Sequence, residues 1–220
     1  MKCVAVSDIH MKDVVTPEAD LLIVSGDMTF YGRQAEMDWY AGWLKRQPQK
    51  YKIWIAGNHE LGVEENPNRA IQIAKLTQTI YLDDSGVEIE GLKIWGSPVT
   101  PFFRSWAFNR HRGKDIREHW NLVPIGLDLL ITHGPPYGYL DETAEGDNVG
   151  CEDLLALLKE ELPEPPQVVI FGHIHEGYGS AEIVREDGYT IKLFNASSCN
   201  KLYQAVNEPF VFELTARSHL

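Results

Sequence analysis

Cysteine is scarce in this chain, which has only three cysteines among its 220 residues. Cys3, Cys151 and Cys199 stand far apart, their number is odd, and no two of them form a Cys-x-x-Cys pair. These absences exclude a disulfide framework and a zinc ribbon, because both need cysteines in pairs at regular spacings. The sequence therefore predicts reduced, buried thiols and a cytoplasmic protein.

Long apolar runs and an excess of basic residues are missing as well. No run approaches the roughly 18 apolar residues of a membrane span, and the short apolar run at positions 3–6 is too brief for the core of a signal peptide. The 32 acidic residues outnumber the 20 basic ones and give a formal net charge of −12. We therefore expect no membrane partner and no duplex nucleic acid, which needs a broad basic face, whereas a nucleotide in a pocket fits this charge.

The length and the composition are those of a globular domain. The 220 residues are close to the usual size of about 100–200 residues per domain. Hydrophobic residues make up 44% of the chain and charged residues 24%, which argues against disorder. The chain contains no internal repeat and no low-complexity stretch, so residues 1–220 are predicted to form a single domain.

Short apolar runs predict strands. Six of these runs are continuous and rich in valine and isoleucine, which predicts strands that are covered on both faces. They span residues 2–7, 21–25, 52–56, 92–95, 128–132 and 168–171. Two further runs alternate more strongly and predict strands with one wetter face. These two runs span residues 189–195 and 210–214.

Helical patterns lie between the predicted strands. Apolar residues at spacings of three and four predict helices in three stretches: 35–44, 67–80 and 152–158. In the second helix we expect Asn66 as the N-cap, Pro67 at the first position, and Ile73, Leu76 and Ile80 on the buried face. Strands that alternate with helices indicate an α/β architecture.

Polar side chains follow five of the predicted strands directly. The five stretches are Ser7-Asp8-Ile9-His10, Ser25-Gly26-Asp27, Gly57-Asn58-His59-Glu60, Thr132-His133-Gly134-Pro135 and Gly172-His173-Ile174-His175. In α/β sheets, ligands bind beyond the carboxyl ends of the strands, so we expect these side chains at one rim of the fold. A single histidine after a strand is usually a loop or core residue, but so many donors at strand ends are typical of a binding site.

The donor types predict a pair of metal ions at this rim. Asp8 and His10 are two residues apart, as are His173 and His175, and in extended chain such residues point to the same side. Nitrogen and oxygen donors without thiolate suit manganese, iron, zinc, cobalt or nickel. The donors are too many for one tetrahedral zinc and fit two divalent ions, about 3.5–4 Å apart, that share a carboxylate. Such a pair lowers the pKa of a bridging water to about 7 and favours in-line attack on phosphorus.

Taken in order, the five stretches resemble the motifs of the calcineurin-like metallophosphoesterases. The matching residues are Asp8-x-His10, Gly26-Asp27, Gly57-Asn58-His59-Glu60, Thr132-His133-Gly134-Pro135-Pro136 and Gly172-His173-x-His175. Other stretches are similar to a subfamily of metallophosphoesterase-domain-containing proteins known from animal brain: Gly96-Ser97-Pro98, Trp106-Ala107-Phe108-Asn109 and Asn148-Val149-Gly150-Cys151. The likeness covers nearly the whole chain. It implies a four-layer αββα sandwich of two mixed β-sheets flanked by helices.

The resemblance also implies a role for each residue of the rim. The implied ligands are Asp8, His10 and His175 for one ion, Asn58, His133 and His173 for the other, and Asp27 for both. Asn58 and His59 would contact the substrate phosphate, and His59 would protonate the leaving oxygen instead of binding metal. Some animal members have glycine in place of His173 and are weak catalysts, so the histidine here predicts a complete second ion site.

Residues 100–120 form the one basic and aromatic segment of this acidic chain. Arginine suits phosphate and aromatic faces suit a nucleobase, so Arg110 and Arg112 are candidate substrate-binding residues. The alternative is a solvated loop before a short helix, with the aromatic side chains packed on the core. Glu60 also has two interpretations, as a hydrogen-bond acceptor behind the ligands or as a surface charge.

The sequence thus predicts a phosphodiesterase with two divalent ions, for which manganese is the expected metal. A hydroxide between the ions would attack phosphorus, and His59 would act as the general acid. The subfamily likeness favours a small phosphoester or nucleotide as the substrate, with cyclic nucleotides among the candidates. Two alternatives stay open: a phosphomonoesterase, and a metal-binding scaffold protein with weak turnover. The sequence makes no prediction of the oligomeric state.

Overall fold

A computed structural model describes residues 1–217 of the chain. The strands are β1 (Lys2–Val6), β2 (Leu21–Ser25), β3 (Tyr51–Ile55), β4 (Ile80–Tyr81), β5 (Ser85–Ile89), β6 (Leu92–Ser97), β7 (Thr100–Pro101), β8 (Asn109–Arg110), β9 (Leu129–Thr132), β10 (Val168–Phe171), β11 (Gly179–Val184), β12 (Thr190–Asn195) and β13 (Phe210–Glu213). The helices are α1 (Gln34–Arg46), α2 (Leu61–Glu65), α3 (Asn68–Thr77), α4 (Lys114–Trp120) and α5 (Glu152–Ala156). A π-helical turn at Leu157–Glu161 continues α5, and a 3₁₀ turn spans His175–Gly177.

Five strands form the first sheet, in the order β13-β1-β2-β3-β4. The strands β1 to β4 are parallel, and β13 is antiparallel to β1. Ala5 lies beside Ile23, and Ile23 lies beside Ile53, so apolar side chains of three strands share one face. Because β1 and β2 are buried on both faces, they are continuous apolar runs in the sequence.

Six strands form the second sheet, in the order β11-β12-β10-β9-β6-β5. The four central strands are parallel, whereas the edge strands β11 and β5 are antiparallel to their neighbours. The edge strands alternate between partly buried and exposed residues, because one of their faces is in contact with solvent. The short pair β7-β8 belongs to neither large sheet.

Three apolar clusters lie between four layers of structure. The first packs α1 and α3 on the outer face of the first sheet, where the rings of Tyr40 and Trp54 are 5.3 Å apart between centroids. The second cluster, which includes Ile23, lies between the two sheets. The third packs α4 and α5 on the second sheet and includes Trp120 and Phe171. The predicted αββα sandwich of two mixed sheets is therefore confirmed.

The predicted strands are all present, with bounds that differ from the prediction by at most two residues. The sequence did not predict β4, β5, β7, β8 or β11. These strands are two-residue pairs or sheet edges, so they lack the continuous apolar run that marks the central strands.

The second predicted helix is wrong at both of its ends. It begins at Asn68, and Asn66 ends α2 instead of capping α3. Gln78 adopts the left-handed conformation with φ of 55° and ends the helix, so Ile80 belongs to β4 and Leu76 is 58% exposed. Within residues 1–217 the longest helix has 13 residues, and none has the length and apolar character of a membrane span.

The two sheets meet at the carboxyl ends of their parallel strands. The N–H of Ser7, just after β1, donates to the carbonyl of Ala196, just after β12, at 2.8 Å. Gly26 follows β2 with φ of +101°, and a Cβ at this position would collide with Nδ1 of His133 from the other sheet. The glycine thus permits the close approach that places the strand ends of both sheets around one site.

Candidate metal centre

The seven predicted ligands lie together at this junction. They are Asp8 and His10 after β1, Asp27 after β2, Asn58 after β3, His133 after β9, and His173 and His175 after β10. Five of the seven are at most 5% exposed, and only His173 and His175 are half-buried. Such burial of polar side chains is costly unless they are paired or bind a ligand.

Backbone strain is concentrated in the same residues. Asp8, His10, Asp27 and His173 have φ values of 50°, 39°, 53° and 69°, in the left-handed region. Residues other than glycine are uncommon there, and they persist where the surrounding structure holds them. Strain of this kind is typical of functional sites, so its occurrence at four predicted ligands supports a binding role.

Two groups of side chains without a shared member could each hold an ion. The first group is Asp8, His10 and His175, and the second is Asp27, His133 and His173. Within each group the candidate ligand atoms lie within 4.8 Å of one another. Asn58 Oδ1 lies 2.9 Å from His133 Nε2, which adds it to the second group. This is the division into two ion sites that the resemblance implies.

Asp8 divides its two carboxylate oxygens between the protein and the site. Oδ2 accepts hydrogen bonds from the His173 N–H and from the Ser197 hydroxyl, both at 2.9 Å. Oδ1 is buried without a hydrogen-bond partner and lies 3.3 Å from His175 Nε2. Burial acts to raise the pKa of this carboxyl, but the interactions with His175 and His133 outweigh it and hold the pKa well below its usual value. The orphaned Oδ1 is therefore available to a cation.

Asp27 is divided in the same way and lies between the two groups. Its Oδ1 accepts a hydrogen bond of 2.8 Å from the His59 N–H. Its Oδ2 lies 3.3 Å from His133 Nε2 and 4.0 Å from His10 Nε2, which belong to different groups. Burial acts to raise the pKa of this carboxyl, but the surrounding histidines hold it well below its usual value. Oδ2 is thus near histidines of both groups, which fits the shared role that the resemblance implies for Asp27.

Backbone carbonyls fix the orientation of three of the imidazoles. Nδ1–H donates to a carbonyl oxygen at 3.1 Å in His10, 2.8 Å in His133 and 3.0 Å in His175. The three carbonyls belong to Thr29, Ser25 and Asn200. Because a carbonyl oxygen only accepts, Nδ1 carries a proton in all three rings, and in the neutral form of each ring the lone pair of Nε2 is therefore directed toward the site.

These residues fit a pair of divalent cations. The Nε2 atoms of His10 and His175 lie 3.3 Å apart, so two lone pairs face each other when both rings are neutral. A cation between them removes this repulsion and also satisfies the orphaned Oδ1 of Asp8. Imidazole nitrogen with carboxylate and amide oxygen is a donor set for divalent transition metals.

The pKa values of the histidines show how strongly the site attracts positive charge. Burial lowers the pKa of His10 and of His173 to about 4. Burial acts in the same direction on His133 and His175, but in each case an adjacent aspartate outweighs it, and the pKa rises to about 9. The two aspartates therefore favour positive charge at the place where the Nε2 atoms meet.

His59 lies beside the two groups and faces the open side of the site. Its Nδ1–H donates to the carbonyl of Phe30 at 3.0 Å, and its Nε2 lies 3.9 Å from Asp27 Oδ2. The ring of Trp106 packs against it with 4.3 Å between centroids. The His59 side chain also comes close enough to His10 and Asp27 to form a third possible cation group. Distances alone thus permit a ligand role, and its role as an acid stays a prediction.

Glu60 has the first of its two predicted roles, because it is completely buried behind the ligands. Its carboxylate accepts hydrogen bonds from the N–H groups of Gly57, Asp27 and Thr29 and from the Thr29 hydroxyl, at 2.7 to 3.0 Å. Burial and the charge of Asp27 raise its pKa to about 8. Glu60 therefore ties the loops after β2 and β3 together.

The structure does not bring Arg110 and Arg112 to the metal residues. Arg110 lies 3.4 Å from Glu64 Oε1 in an ion pair. Arg112 pairs with Glu152 and donates to the carbonyl of Val149 at 2.8 Å. Neither side chain lines the cleft above the site. The sequence-based role in substrate binding stays a prediction, but the partners of both guanidinium groups are other parts of the protein.

A cleft of about 280 Å³ opens above the metal residues. Its lining includes Lys201 and Tyr203, which lie outside every predicted motif, together with Phe103, Arg104 and Trp106 from the basic and aromatic segment. Arg104 of that segment lines the cleft, whereas Arg110 and Arg112 do not. Nothing in their local sequence indicates which arginine faces the site. Residues 200–204 match none of the motifs described above, so there was no reason in the sequence to place them at the site.

Comparison with known proteins shows the class of protein to which this fold and this group of side chains belong. The family model for calcineurin-like phosphoesterases matches residues 1–177, and the chain belongs to this family. The human and mouse proteins named metallophosphoesterase domain-containing protein 1 are each 40% identical to the chain over 235 residues, which cover 96% of this chain and 70% of theirs. A UPF0046 protein of Caenorhabditis elegans is 36% identical, over 99% of this chain and 77% of its own.

Solved structures with low sequence identity share the fold. One gives a TM-score of 0.64 at 15% identity and covers 88% of this chain and 89% of its own. TT1561 of Thermus thermophilus gives a TM-score of 0.57 at 12% identity and covers 88% of both chains. The predicted family and subfamily are confirmed by the sequence relatives, and the protein is a phosphoester hydrolase of a metal-dependent family.

Proposed function

We propose that this hydrolase is a phosphodiesterase that uses two divalent ions, manganese foremost, and His59 as its general acid. Its substrates are small phosphodiesters, with cyclic nucleotides among them. The observation that carries the proposal is the position of His59, whose Nδ1–H is bound to the Phe30 carbonyl while Nε2 faces the cleft beside Asp27. A proton on Nε2 is therefore the one that this ring can deliver to a leaving oxygen.

The chain's own residues have distinct tasks in this proposal. Bound at the two groups, a pair of ions would polarise the phosphoryl oxygens and supply an activated water. Asn58, which lies in the same cleft, can donate its side-chain N–H to a phosphoryl oxygen. Glu60 holds the loops that carry Asp27 and Asn58. His59 supplies the proton that an alkoxide needs in order to leave.

The shape of the cleft supports a diester over a monoester. A diester keeps one ester group on phosphorus after cleavage, and this group needs room beside the phosphate. The lining above the metal residues includes the rings of Phe103, Trp106 and Tyr203. The volume of the cleft, about 280 Å³, accommodates more than a phosphate alone.

A substrate panel under metal titration tests this proposal. Bis(4-nitrophenyl) phosphate should be hydrolysed with a higher kcat/KM than 4-nitrophenyl phosphate when manganese is present. The 2′,3′- and 3′,5′-cyclic nucleotides should then be compared, with iron, zinc, cobalt and nickel replacing manganese in turn. A preference for the monoester would replace the phosphodiesterase by a phosphomonoesterase. Negligible turnover at full metal occupancy would favour a metal-binding scaffold.

The acid role of His59 has its own test. His59→Ala should keep both ions and lower kcat by roughly 10²–10⁴-fold for a diester with an alkyl leaving group. For a 2,4-dinitrophenyl leaving group, which departs without a proton, the loss should be much smaller. His111→Ala is the matched control, because His111 stacks on Phe102 outside the cleft. Loss of metal in His59→Ala, or equal losses with both leaving groups, would contradict the acid role.

The proposal includes a reducing compartment, as in the cytoplasm. All three cysteines lie within the described residues, and each is free and buried. Burial raises the pKa of Cys3 to about 12 and that of Cys199 to about 11, which keeps both thiols protonated and unreactive. Cell fractionation with an antibody against the chain tests this location, and recovery in a secreted fraction would contradict it.

A further inference from the structure

A tight turn separates the two histidines that follow β10. The Ile174 N–H donates to the Gly172 carbonyl at 2.8 Å, which closes a three-residue turn around His173 in place of extended chain. His173 has a φ of 69°, and a turn of this kind with a positive φ at its centre is rare and strained. The turn joins the two ion groups, because His173 belongs to the second group and His175 to the first. It therefore sets the spacing between the two groups on this side of the site.

Asn195 contacts this turn and is completely buried. It is the last residue of β12, where it is paired with Phe171 at the end of β10. Its side-chain N–H₂ donates to the carbonyl of Ile174 at 2.8 Å and to the carbonyl of Leu140 at 3.2 Å. Because a carbonyl oxygen only accepts, these two contacts fix the amide with its nitrogen toward the turn. Asn195 therefore holds the peptide that joins Ile174 to His175.

The oxygen of the same amide contacts Ser197, which leads to Asp8. Asn195 Oδ1 accepts the Ser197 N–H at 3.2 Å and lies 2.8 Å from the Ser197 hydroxyl oxygen. That hydroxyl donates to Asp8 Oδ2 at 2.9 Å, because a charged acceptor forms the stronger hydrogen bond. Asp8 Oδ2 also accepts the His173 N–H at 2.9 Å. These contacts form a closed loop that begins and ends at the turn.

Two glycines show how closely these groups are packed. A Cβ at Gly172 would collide with Asp8 Oδ2. A Cβ at Gly177 would collide with the Leu140 carbonyl and lie 2.9 Å from Asn195 Nδ2. The backbone around the two histidines is therefore in direct contact with the carboxylate on one side and with the amide on the other.

The strained turn needs partners that hold it. A residue other than glycine with a positive φ persists only where the surrounding structure over-determines its conformation. Asp8 binds the N–H at the centre of the turn, and Asn195 binds the carbonyl at its end. Asp8 is a predicted ligand, whereas Asn195 is not and does not line the cleft. The contacts of Asn195 thus connect it to both ion groups without making it a ligand.

We propose that Asn195 is a positioning residue of the metal centre, which holds the turn at Ile174 and thereby fixes the spacing between the two ion groups. It acts on both histidines through the peptide that it binds, and on Asp8 through the Ser197 hydroxyl. The proposal rests on the two ions of the proposed function and not on the choice between a diester and a monoester. Loss of this one buried amide should weaken the binding of both ions together.

The experiment measures manganese binding by the full chain, with calorimetry and EPR spectroscopy. Two manganese(II) ions that share a ligand give an exchange-coupled spectrum, whereas ions held apart give the spectrum of isolated manganese(II). The wild-type protein should bind two ions and give the coupled spectrum. Asn195→Leu has the same branched shape but makes no hydrogen bonds, so the affinity for both ions should fall about 10–100-fold. At saturating manganese the coupled spectrum of this variant should be lost, because the spacing is no longer held.

Two further variants separate positioning from stability. Asp128→Asn is the matched control, because Asp128 is also completely buried and accepts the Lys93 N–H at 2.9 Å at the opposite end of the second sheet. It should lower the urea midpoint and leave both affinities and the spectrum unchanged. Ser197→Ala removes only the branch to Asp8, so it should weaken the ion of the first group and leave the other ion in place.

The outcomes distinguish this proposal from the one on which it rests. Fewer than two ions, or two uncoupled ions, on the wild-type protein would overturn the two-ion centre itself. Unchanged affinity and coupling in Asn195→Leu would overturn the positioning role alone, and so would a loss confined to one ion or a loss no larger than that in Asp128→Asn. If Asn195→Leu does not fold, Asn195→Ser decides in its place, because a serine hydroxyl is one bond shorter than the amide that reaches the Ile174 carbonyl.

Discussion

Each half of the candidate metal centre has one aspartate and two histidines, but the two halves hold their imidazoles differently. In the half with Asp8, both His10 and His175 donate Nδ1–H to a backbone carbonyl. In the other half only His133 does so, at 2.8 Å from the Ser25 carbonyl. Within residues 1–217 the ring of His173 has no hydrogen bond, and it packs edge-on against His133 with 5.0 Å between centroids.

This difference predicts that the two ions are not bound equally. Hydrogen bonds behind a metal ligand fix the ring, and their loss typically costs about 10–100-fold in affinity. The half with Asp8 is therefore preorganised, whereas the half with His173 depends on packing and on Asn58. We expect the ion of the first half to bind more tightly, so that a chelator removes the other ion first.

The largest effect on metal binding and activity is expected from a substitution of Asp27, the residue that lies between both halves. Asp27→Asn removes the charge that lies 3.3 Å from His133 and 4.0 Å from His10. We expect both ions to be lost and kcat/KM to fall about 10⁴-fold or more, because each ion contributes several kcal/mol to the transition state. Elemental analysis and diester hydrolysis measure the two effects. A fully metallated, active variant would show that Asp27 does not bridge.

A matched pair of substitutions compares the halves directly. His173→Ala should lose the weaker ion and keep the tighter one. His175→Ala, in contrast, should lower the affinity of the tighter site. Both variants should lose about 100-fold or more in kcat/KM, since several kcal/mol of stabilisation disappear with one ion. Stepwise metal titration by calorimetry resolves the two binding events. If His173→Ala weakened the tighter event and His175→Ala the weaker one, the assignment of strength to the halves would be reversed.

A smaller effect is expected from a substitution of Glu60, which holds the loops after β2 and β3 and thereby positions ligands of the weaker half. In Glu60→Gln an amide N–H₂ replaces an oxygen that accepts backbone hydrogen bonds, so at least one buried donor loses its partner. We expect the free energy of unfolding to fall by about 1–3 kcal/mol and the affinity for the weaker ion to fall about 10–100-fold. Glu65→Gln, on the exposed end of α2, is the control for a lost charge. Urea denaturation and metal titration that showed no change in Glu60→Gln would remove this positioning role.

The sequence predicted a set of polar donors at one rim because the signals are local, whereas their division into two halves was implied by the family resemblance. Asp8, Asp27, Asn58 and His133 directly follow apolar strands, and parallel strands carry their ends to one edge. The number of sheets could not be predicted from local patterns. A continuous apolar run indicates that a strand is buried on both faces, but it does not show whether a helix or another sheet covers each face. The four-layer arrangement came from the family resemblance.

The lining of the cleft could not be predicted in this way. Arg104 and Arg112 look alike in the sequence, but Arg112 pairs with Glu152, forty residues further along the chain. Tyr203 reaches the site because Asn200 closes a turn and binds His175. Such contacts between distant segments decide which side of a loop faces the site, and no spacing rule in the sequence encodes them.

The smallest effect is expected from a substitution of Trp106, which lies in the segment that packs beside the weaker half. The ring of Trp106 packs at 4.3 Å on His59, and the next residue is tied to Asn58 through the Ala107 N–H. Trp106→Ala frees one face of the imidazole, and an aromatic contact of this kind is worth about 0.5–1.5 kcal/mol. We expect kcat to fall about 2–10-fold for an alkyl leaving group and to change little for a 2,4-dinitrophenyl group, because only the first needs the proton. Trp106→Phe should restore most of the loss. In a double variant with His59→Ala, Trp106→Ala should cost nothing further, whereas independent losses would mean that Trp106 acts on the substrate and not through His59.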